Sequence, residues 1–482
     1  MIKKICEKKL LLFSSFIAVL LLFGTDAVSE FATDTYSIFN NSSWESMIYA
    51  NGRLINGIVF FIFENFLKLP QTTVYEISYC IGLVLASLSV FLLADLLIKH
   101  HIEEKIALII SAFCILNIFS IEYFLFIETG LFFTAIFLVV IAVRQTVDYL
   151  ENGDKKRFIQ SFLFMILAVY IYQAVLGLYI VLNLPFIIKY SKNSRSFIKN
   201  NLIVASVYSV GMLIGLITTK FLLKSQRLEE NDIGGIRLIL DKIKEVLITD
   251  RYFSLAMRIV LIFVALLIAV SCFVFAWKKH DLKSILLIFY IVFLVAFTSF
   301  LPQFLGIIKS FEMRIVYPSA SVFGVLFIHL MLNCNAMELL ERKKCLVFSI
   351  MIFCFIIQLF LFNHIFICRY KVNQADKIIA EAIIGRIEKY EHETGENITK
   401  IVFYKDMNAS RSYDGVNTYS FIYKAFDKVW SDLEILDYYS GRKFARGEAL
   451  EEYRVLFSNN DWNSYSEDEL IFDGDTLHLC CF

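Results

Sequence analysis

The side chains that could move a proton and hold an anion crowd one short stretch of this chain. Asp26, Glu30 and Asp34 follow the first apolar segment, in Thr25-Asp26-Ala27-Val28-Ser29-Glu30-Phe31-Ala32-Thr33-Asp34-Thr35-Tyr36-Ser37. Arg53 comes next, in Asn51-Gly52-Arg53-Leu54. A positioned carboxylate takes a proton from a hydroxyl, and a cation stabilises a departing phosphate. That pairing is the equipment for group transfer from a phosphate ester. Asp34 is the first choice for the base, followed by Asp26 and Glu30, whose i,i+4 spacing would share a helical face. Arg53 and Arg314 are the candidates for phosphate, because a guanidinium offers paired donors to its oxygens. The plain alternative stays open: loop carboxylates are commonly just solvated, and an arginine at a membrane edge reaches for lipid headgroups.

Further polar residues stand at the ends of apolar runs. Glu122 and Glu128 flank a short link between two such runs, and acidic groups at membrane depth are costly and often functional. Tyr172 and Gln173 interrupt another run; an amide offers donors and an acceptor to a sugar, and a phenol ring offers a stacking face. Asp26, Glu30 and Asp34 together could hold a divalent cation such as magnesium or manganese. No spaced Cys/His set points to zinc, His100-His101 reads as a turn, and Gly234-Gly235 lacks the strand–helix context of a phosphate loop.

The elements that must position these residues are membrane-spanning. Hydrophobic residues make up 58% of the 482, with only four prolines, and mean hydropathy is +0.64. Several apolar runs exceed the roughly 18 residues that cross a bilayer. Equal numbers of acidic and basic residues leave no bulk charge that would favour nucleic acid. Charge is segregated instead. Lys3, Lys4, Lys8 and Lys9 precede the first apolar run, which reads as an uncleaved anchor with its N-terminus inside. The loop 25–73 then lies outside, with 54–69 interfacial. Further spans are expected near 74–98, 105–121, 129–146, 201–222, 257–276, 283–301, 315–333 and 345–367. Residues 158–188 have basic flanks on both sides, so they are expected as two short helices or a re-entrant pair, with an apex at Tyr172-Gln173-Ala174 facing out. Residues 236–247 read as an amphipathic surface helix.

The result is an all-α polytopic bundle of about eleven spans, N-in and C-out. Residues 1–367 form the transmembrane domain. Residues 368–482 lack a span and read as a small extracytoplasmic α/β domain, with a helix at 375–390, a strand at 398–404 and a closing strand through 471–479.

The order of motifs resembles the type II glucosyl transferase family, which includes O-antigen glucosyltransferases of the GT-C class. The resemblance covers roughly 10–370 and is carried by Thr33-Asp34-Thr35-Tyr36-Ser37, Trp44, Asn51-Gly52-Arg53-Leu54, Tyr170-Ile171-Tyr172-Gln173-Ala174 and Met313-Arg314-Ile315-Val316-Tyr317-Pro318. Members often carry two adjacent aspartates in the first external loop; here Asp34 stands alone between threonines. The resemblance implies a GT-C-like fold and transfer of a glucosyl or related hexosyl group from a polyprenyl-phosphate sugar to a cell-envelope glycan. It places the reaction on the outer face of a bacterial cytoplasmic membrane, with the donor supplied by a separate synthase and flippase. Two other classes compete. A lipid-linked sugar flippase or polysaccharide transporter needs polar groups through many spans, and here Asp95 is an exception among apolar ones. A non-catalytic envelope-assembly protein would make residues 368–482 the working part and Asp34 and Arg53 dispensable.

Overall fold

The computed structural model describes residues 8–24, 31–40, 43–50, 52–218, 282–304, 312–333, 336–405, 422–458 and 466–480, with the single positions 244 and 259. Asp26, Glu30, the expected surface helix 236–247 (Lys244 apart) and the expected span 257–276 lie outside the described residues. The chain divides into two compact units. One comprises Met1–Val28 and Ser43–Asn363; the other comprises Ser29–Ser42 and His364–Phe482.

The first unit is helical. Among the described residues four helices are long and apolar enough to cross a membrane: Gln71–Lys99, Thr129–Asn152, Ser194–Ile217 and Phe348–Thr394. The pair Glu104–Ile115 and Ile118–Leu125, bent by 60° at its break, adds a fifth only where the two pieces count as one span. At 1.5 Å per residue the 29-residue Gln71–Lys99 helix is about 43 Å long, more than a hydrocarbon core requires. The run expected as one span at 105–121 is thus interrupted. Asn117 causes the break: its side chain caps the next turn by accepting from Phe119 N–H at 3.0 Å, and its amide donates to Ser321 Oγ at 2.9 Å. Residues 158–188 do form two short helices, Lys155–Val169 and Gly177–Lys189, joined through the 3-10 turn Gln173–Leu176.

The helices of this unit have chemically different ends. Lys8 and Arg144 both reach Asp95 at 2.7 Å, and Lys99 reaches Asp148 and Glu151 at 2.9 and 2.6 Å. Asp95 therefore lies near the basic end of its helix, where two cations compensate it. The opposite ends are aromatic. There two glycines allow backbone against backbone: a Cβ on Gly130 would stand 2.6 Å from the Ser78 carbonyl oxygen, and one on Gly82 would stand 2.8 Å from that of Gly130. Any side chain at 130 would push the Ile127–Phe132 turn off the Gln71–Lys99 helix.

The stretch expected as an open loop after the anchor is partly helical. Thr33–Asn40 is a helix, and 43–50 forms further helical turns. Thr35 and Ala32 start the first of these, with Ala32 N–H donating to Thr35 Oγ1 at 3.2 Å and Thr35 N–H to the Ala32 carbonyl at 3.0 Å. Tyr36 gives the helix its anchor, because it is buried in the core of the second unit.

That core packs residues 380–387 of the long Ala336–Thr394 helix, together with the Asp432–Ser440 helix, against a four-stranded sheet. The strands are β1 (Lys400–Tyr404), β2 (Ala445–Arg446), β3 (Leu470–Asp473) and β4 (Thr476–Cys480), in spatial order β2-β1-β4-β3. β1 runs parallel to β2 and β4, and β3 and β4 form an antiparallel hairpin with Gly474 at φ 56° in its turn. Ile401, Ile435, Leu436 and Leu477 are fully buried. Tyr36 joins them, edge-on to Phe31 and Tyr438. Burial, Tyr439 and the Asp376 carboxylate push its hydroxyl pKa well above that of a free tyrosine.

Removing a buried aromatic leaves a cavity. Tyr36→Ala is expected to destabilise the second unit by about 3–5 kcal/mol. Limited proteolysis of membranes should then cut residues 368–482 faster, while the helices of the first unit stay resistant.

Candidate functional site

The sequence-remote motifs of the first unit meet at its aromatic end. Gly52 begins the cluster. Its φ of 67° lies in the left-handed region that favours glycine. The reversal lets Gly52 and Arg53 N–H donate back to Ile48 and Met47 carbonyls at 2.9 and 2.8 Å. It also turns the Gly52 carbonyl toward Gln173, whose Nε2 donates to it at 3.3 Å. Two further bonds join the same segments: Ile55 N–H to the Tyr170 carbonyl at 3.1 Å, and Asn56 Nδ2 to that of Ile171 at 3.3 Å. The Gly-Arg turn and the Tyr-Gln apex are thus one structure.

Arg53 is 6% exposed. Its guanidinium carbon lies 4.4 Å from the Phe132 ring centroid and 5.1 Å from that of Tyr172. Those two rings stack, 4.3 Å apart and 9° from parallel. A cation over an aromatic face is attracted by the ring quadrupole, and more strongly where water is excluded. Met47 Sδ adds a soft contact at 3.8 Å to Nη1.

Glu122 and Arg314 also meet. The Glu122 carboxylate is 1% exposed and accepts from Arg314 backbone N–H at 2.7 Å and from Nη1 at 2.9 Å. The Arg314 guanidinium lies over Phe126, 4.4 Å from its centroid. Tyr123 links the two halves: its hydroxyl donates to the Arg314 carbonyl at 2.7 Å, and its ring meets Tyr172 edge-on at 5.9 Å. Tyr317 closes the far side by donating to the Ile115 carbonyl at 2.6 Å. Glu122, expected to touch sugar, and Arg314, expected to touch phosphate, are therefore ion-pair partners. Glu128 belongs to the Ile127–Phe132 turn, and its side chain lies outside the described residues.

Asp34 belongs to the second unit. It occupies the first turn of the Thr33–Asn40 helix, where a carboxylate is favoured by the helix dipole. Its Oδ1 accepts from Trp430 Nε1 at 3.1 Å. Among the described residues no cluster of three or more His, Cys, Asp or Glu side chains forms a cation site, and two members of the proposed acidic set, Asp26 and Glu30, lie outside them.

The structure brings the sequence candidates Gly52, Arg53, Tyr172 and Gln173 together, with Phe132 and Tyr123, which sequence reasoning did not single out. Nothing distinguishes Phe132 among 48 phenylalanines. Tyr123 had a signal, since it sits beside Glu122 at the end of an apolar run. The chain matches no protein-family model and no curated protein.

Breaking a buried ion pair strands the charge left behind. Arg314→Met is expected to lower the stability of the detergent-solubilised protein by about 3–5 kcal/mol, and the double change Glu122→Gln with Arg314→Met should recover a large part of that. Thermal unfolding of the three proteins measures the recovery.

Proposed function

We propose that this chain is a polyprenyl-phosphate-sugar-dependent hexosyltransferase that modifies a cell-envelope glycan. The observation that carries the reading is the buried Arg53 guanidinium over the stacked Phe132–Tyr172 pair, fixed to the Gly52 turn and the Gln173 apex. A guanidinium held in a water-poor aromatic frame suits a phosphate whose negative charge grows as the sugar departs. In this reading Tyr172 and Gln173, which border that cation, take the sugar. Glu122 holds Arg314 and the 312–320 segment in place beside them. Asp34 is the base for the acceptor hydroxyl in this reading.

An apolar crevice of about 490 Å³ supports a lipid-linked donor. It runs between the Gly177–Lys189, Ser194–Ile217 and Leu282–Phe304 helices, and its walls include Ile187, Leu202, Tyr208, Leu294 and Thr298. The Thr298 carbonyl also packs against Gly177, four residues after Gln173, so an isoprenoid chain lying there would end near the apex.

We assign the whole chain the GT-C-like arrangement of about eleven spans, N-in and C-out, in a bacterial cytoplasmic membrane. The charge rule supports the orientation: Lys8, Lys99 and Arg144 gather at one end of the helices, and the Arg53 cluster occupies the other. A donor synthase and a flippase would then supply the lipid-linked sugar from within. Asp95 and Arg144 are compensated near helix ends, which favours an interfacial enzyme over a flippase with charge strung through its spans.

Membranes holding the protein and a polyprenyl-phosphate hexose test the reading. Wild type should transfer the hexose to envelope glycan. Arg53→Ala should cut the rate about 10²–10³-fold, with Arg53→Lys giving little rescue because the planar fork is lost. Asp34→Asn, which keeps an oxygen for Trp430, should cut it about 10²–10⁴-fold. Full activity in both the Arg53→Ala and Asp34→Asn proteins, at equal membrane levels, would sink the assignment.

A further inference from the structure

One face of the second unit displays a fixed aromatic plate. Trp430 keeps 46% of its surface exposed, yet its ring is oriented by the bond from Nε1 to Asp34 Oδ1. The turn beneath it is equally fixed. Arg446 donates to the Val429 carbonyl at 2.8 Å and pairs with the fully buried Asp432. Ser431 and Asp432 N–H both donate to the Lys428 carbonyl at 3.0 Å. Above the turn, the Lys428 ammonium lies 4.2 Å from the centroid of the exposed Tyr423 ring and 5.7 Å from that of Trp430.

A pyranose has an apolar face of C–H groups and a rim of hydroxyls. An indole plate takes the face, a carboxylate accepts from the rim, and an ammonium donates to it. A plate held rigid before binding loses little entropy when the sugar arrives. We propose that Trp430, with Asp34, Lys428 and Tyr423 at its edges, forms a carbohydrate platform that takes a hexose of the acceptor glycan. The carbohydrate follows from the side chains; its being the acceptor rests on the transferase reading. The rival occupant of an exposed Trp, Tyr and Lys set is a lipid surface. Asp34 argues against it. The indole N–H already has a protein partner, and a carboxylate at the ring edge is repelled by anionic headgroups.

The test uses full-length protein in phosphatidylcholine nanodiscs, titrated with oligomers of glucose, galactose and N-acetylglucosamine and read by saturation-transfer NMR. At least one oligomer should bind saturably to wild type. Trp430→Ala should weaken that binding about tenfold or more, and Trp430→Phe should stay within about threefold. Arg53→Ala should bind as wild type does, because its loss falls on the donor. Equal binding by Trp430→Ala, or no binding of any of the three by wild type, overturns the platform. So does brominated-lipid quenching of tryptophan fluorescence in the same discs that is present in wild type and lost in Trp430→Phe, which would place the ring in the membrane surface. Trp430-dependent binding without hexose transfer from any polyprenyl-phosphate donor would keep the platform and discard the transferase reading. Transfer with binding indifferent to Trp430 would do the reverse.

Discussion

A carboxylate taken out of water must be neutralised and hydrogen-bonded where it stands, and Glu122 sets that requirement for the first unit. Its two bonds to Arg314 pin the 312–320 segment. With that segment fixed, Tyr123 finds the Arg314 carbonyl and Tyr317 finds that of Ile115. Tyr123 then presents its edge to Tyr172, and Tyr172 lies flat on Phe132 beneath Arg53. One desolvated charge thus orders a series of rings that ends at the guanidinium. A frame of this kind holds the guanidinium in one place against two stacked rings.

The aromatic end and the ionic end of the helices make different physical use of their residues. At the ionic end Asp95 is shared between Lys8 and Arg144, and Lys99 between Asp148 and Glu151, all partly exposed. Such pairs orient helices at modest energy and are screened by salt. At the aromatic end the cations are nearly dry, and ring faces supplement carboxylates as their partners. The close approach at Gly82 and Gly130 makes this possible by bringing the Ile127–Phe132 turn, and hence Phe132, down onto the Gln71–Lys99 helix.

Local signals were legible in the sequence. The length and hydropathy of 71–99 defined its helix to within a few residues, and the doubly basic flanks of 158–188 located a break at Tyr172. Gly52 stood out only through the resemblance; that its segment is a turn, with Gly52 at φ 67°, comes from the structure. β1 was visible as a short β-branched and aromatic run, but the single closing strand expected through 471–479 is two strands, because Gly474 reverses the chain between β3 and β4. Pairings across distance were not legible. Glu122 and Arg314 are 192 positions apart, and each alone looks like an ordinary residue at a helix end. The interruption at Asn117 was hidden because the run reads as continuously apolar, and the cap depends on Ser321, far along the chain. Asp34 was read with the anchor it follows. Its place in the second unit is decided by Tyr36 and Trp430, whose partners no local pattern reveals.

The second unit takes its first piece from residues 29–42 and the rest from 364 onward. Asp34 and Trp430 are 396 positions apart, so at about 5–20 residues per second the ribosome needs about 20–80 s to make one after the other. Through that interval the Thr33–Asn40 stretch exists without the residues that bury Tyr36. Synthesis order therefore makes this short helix a completion marker: until the residues of the sheet are made, Tyr36 lacks the core that buries it.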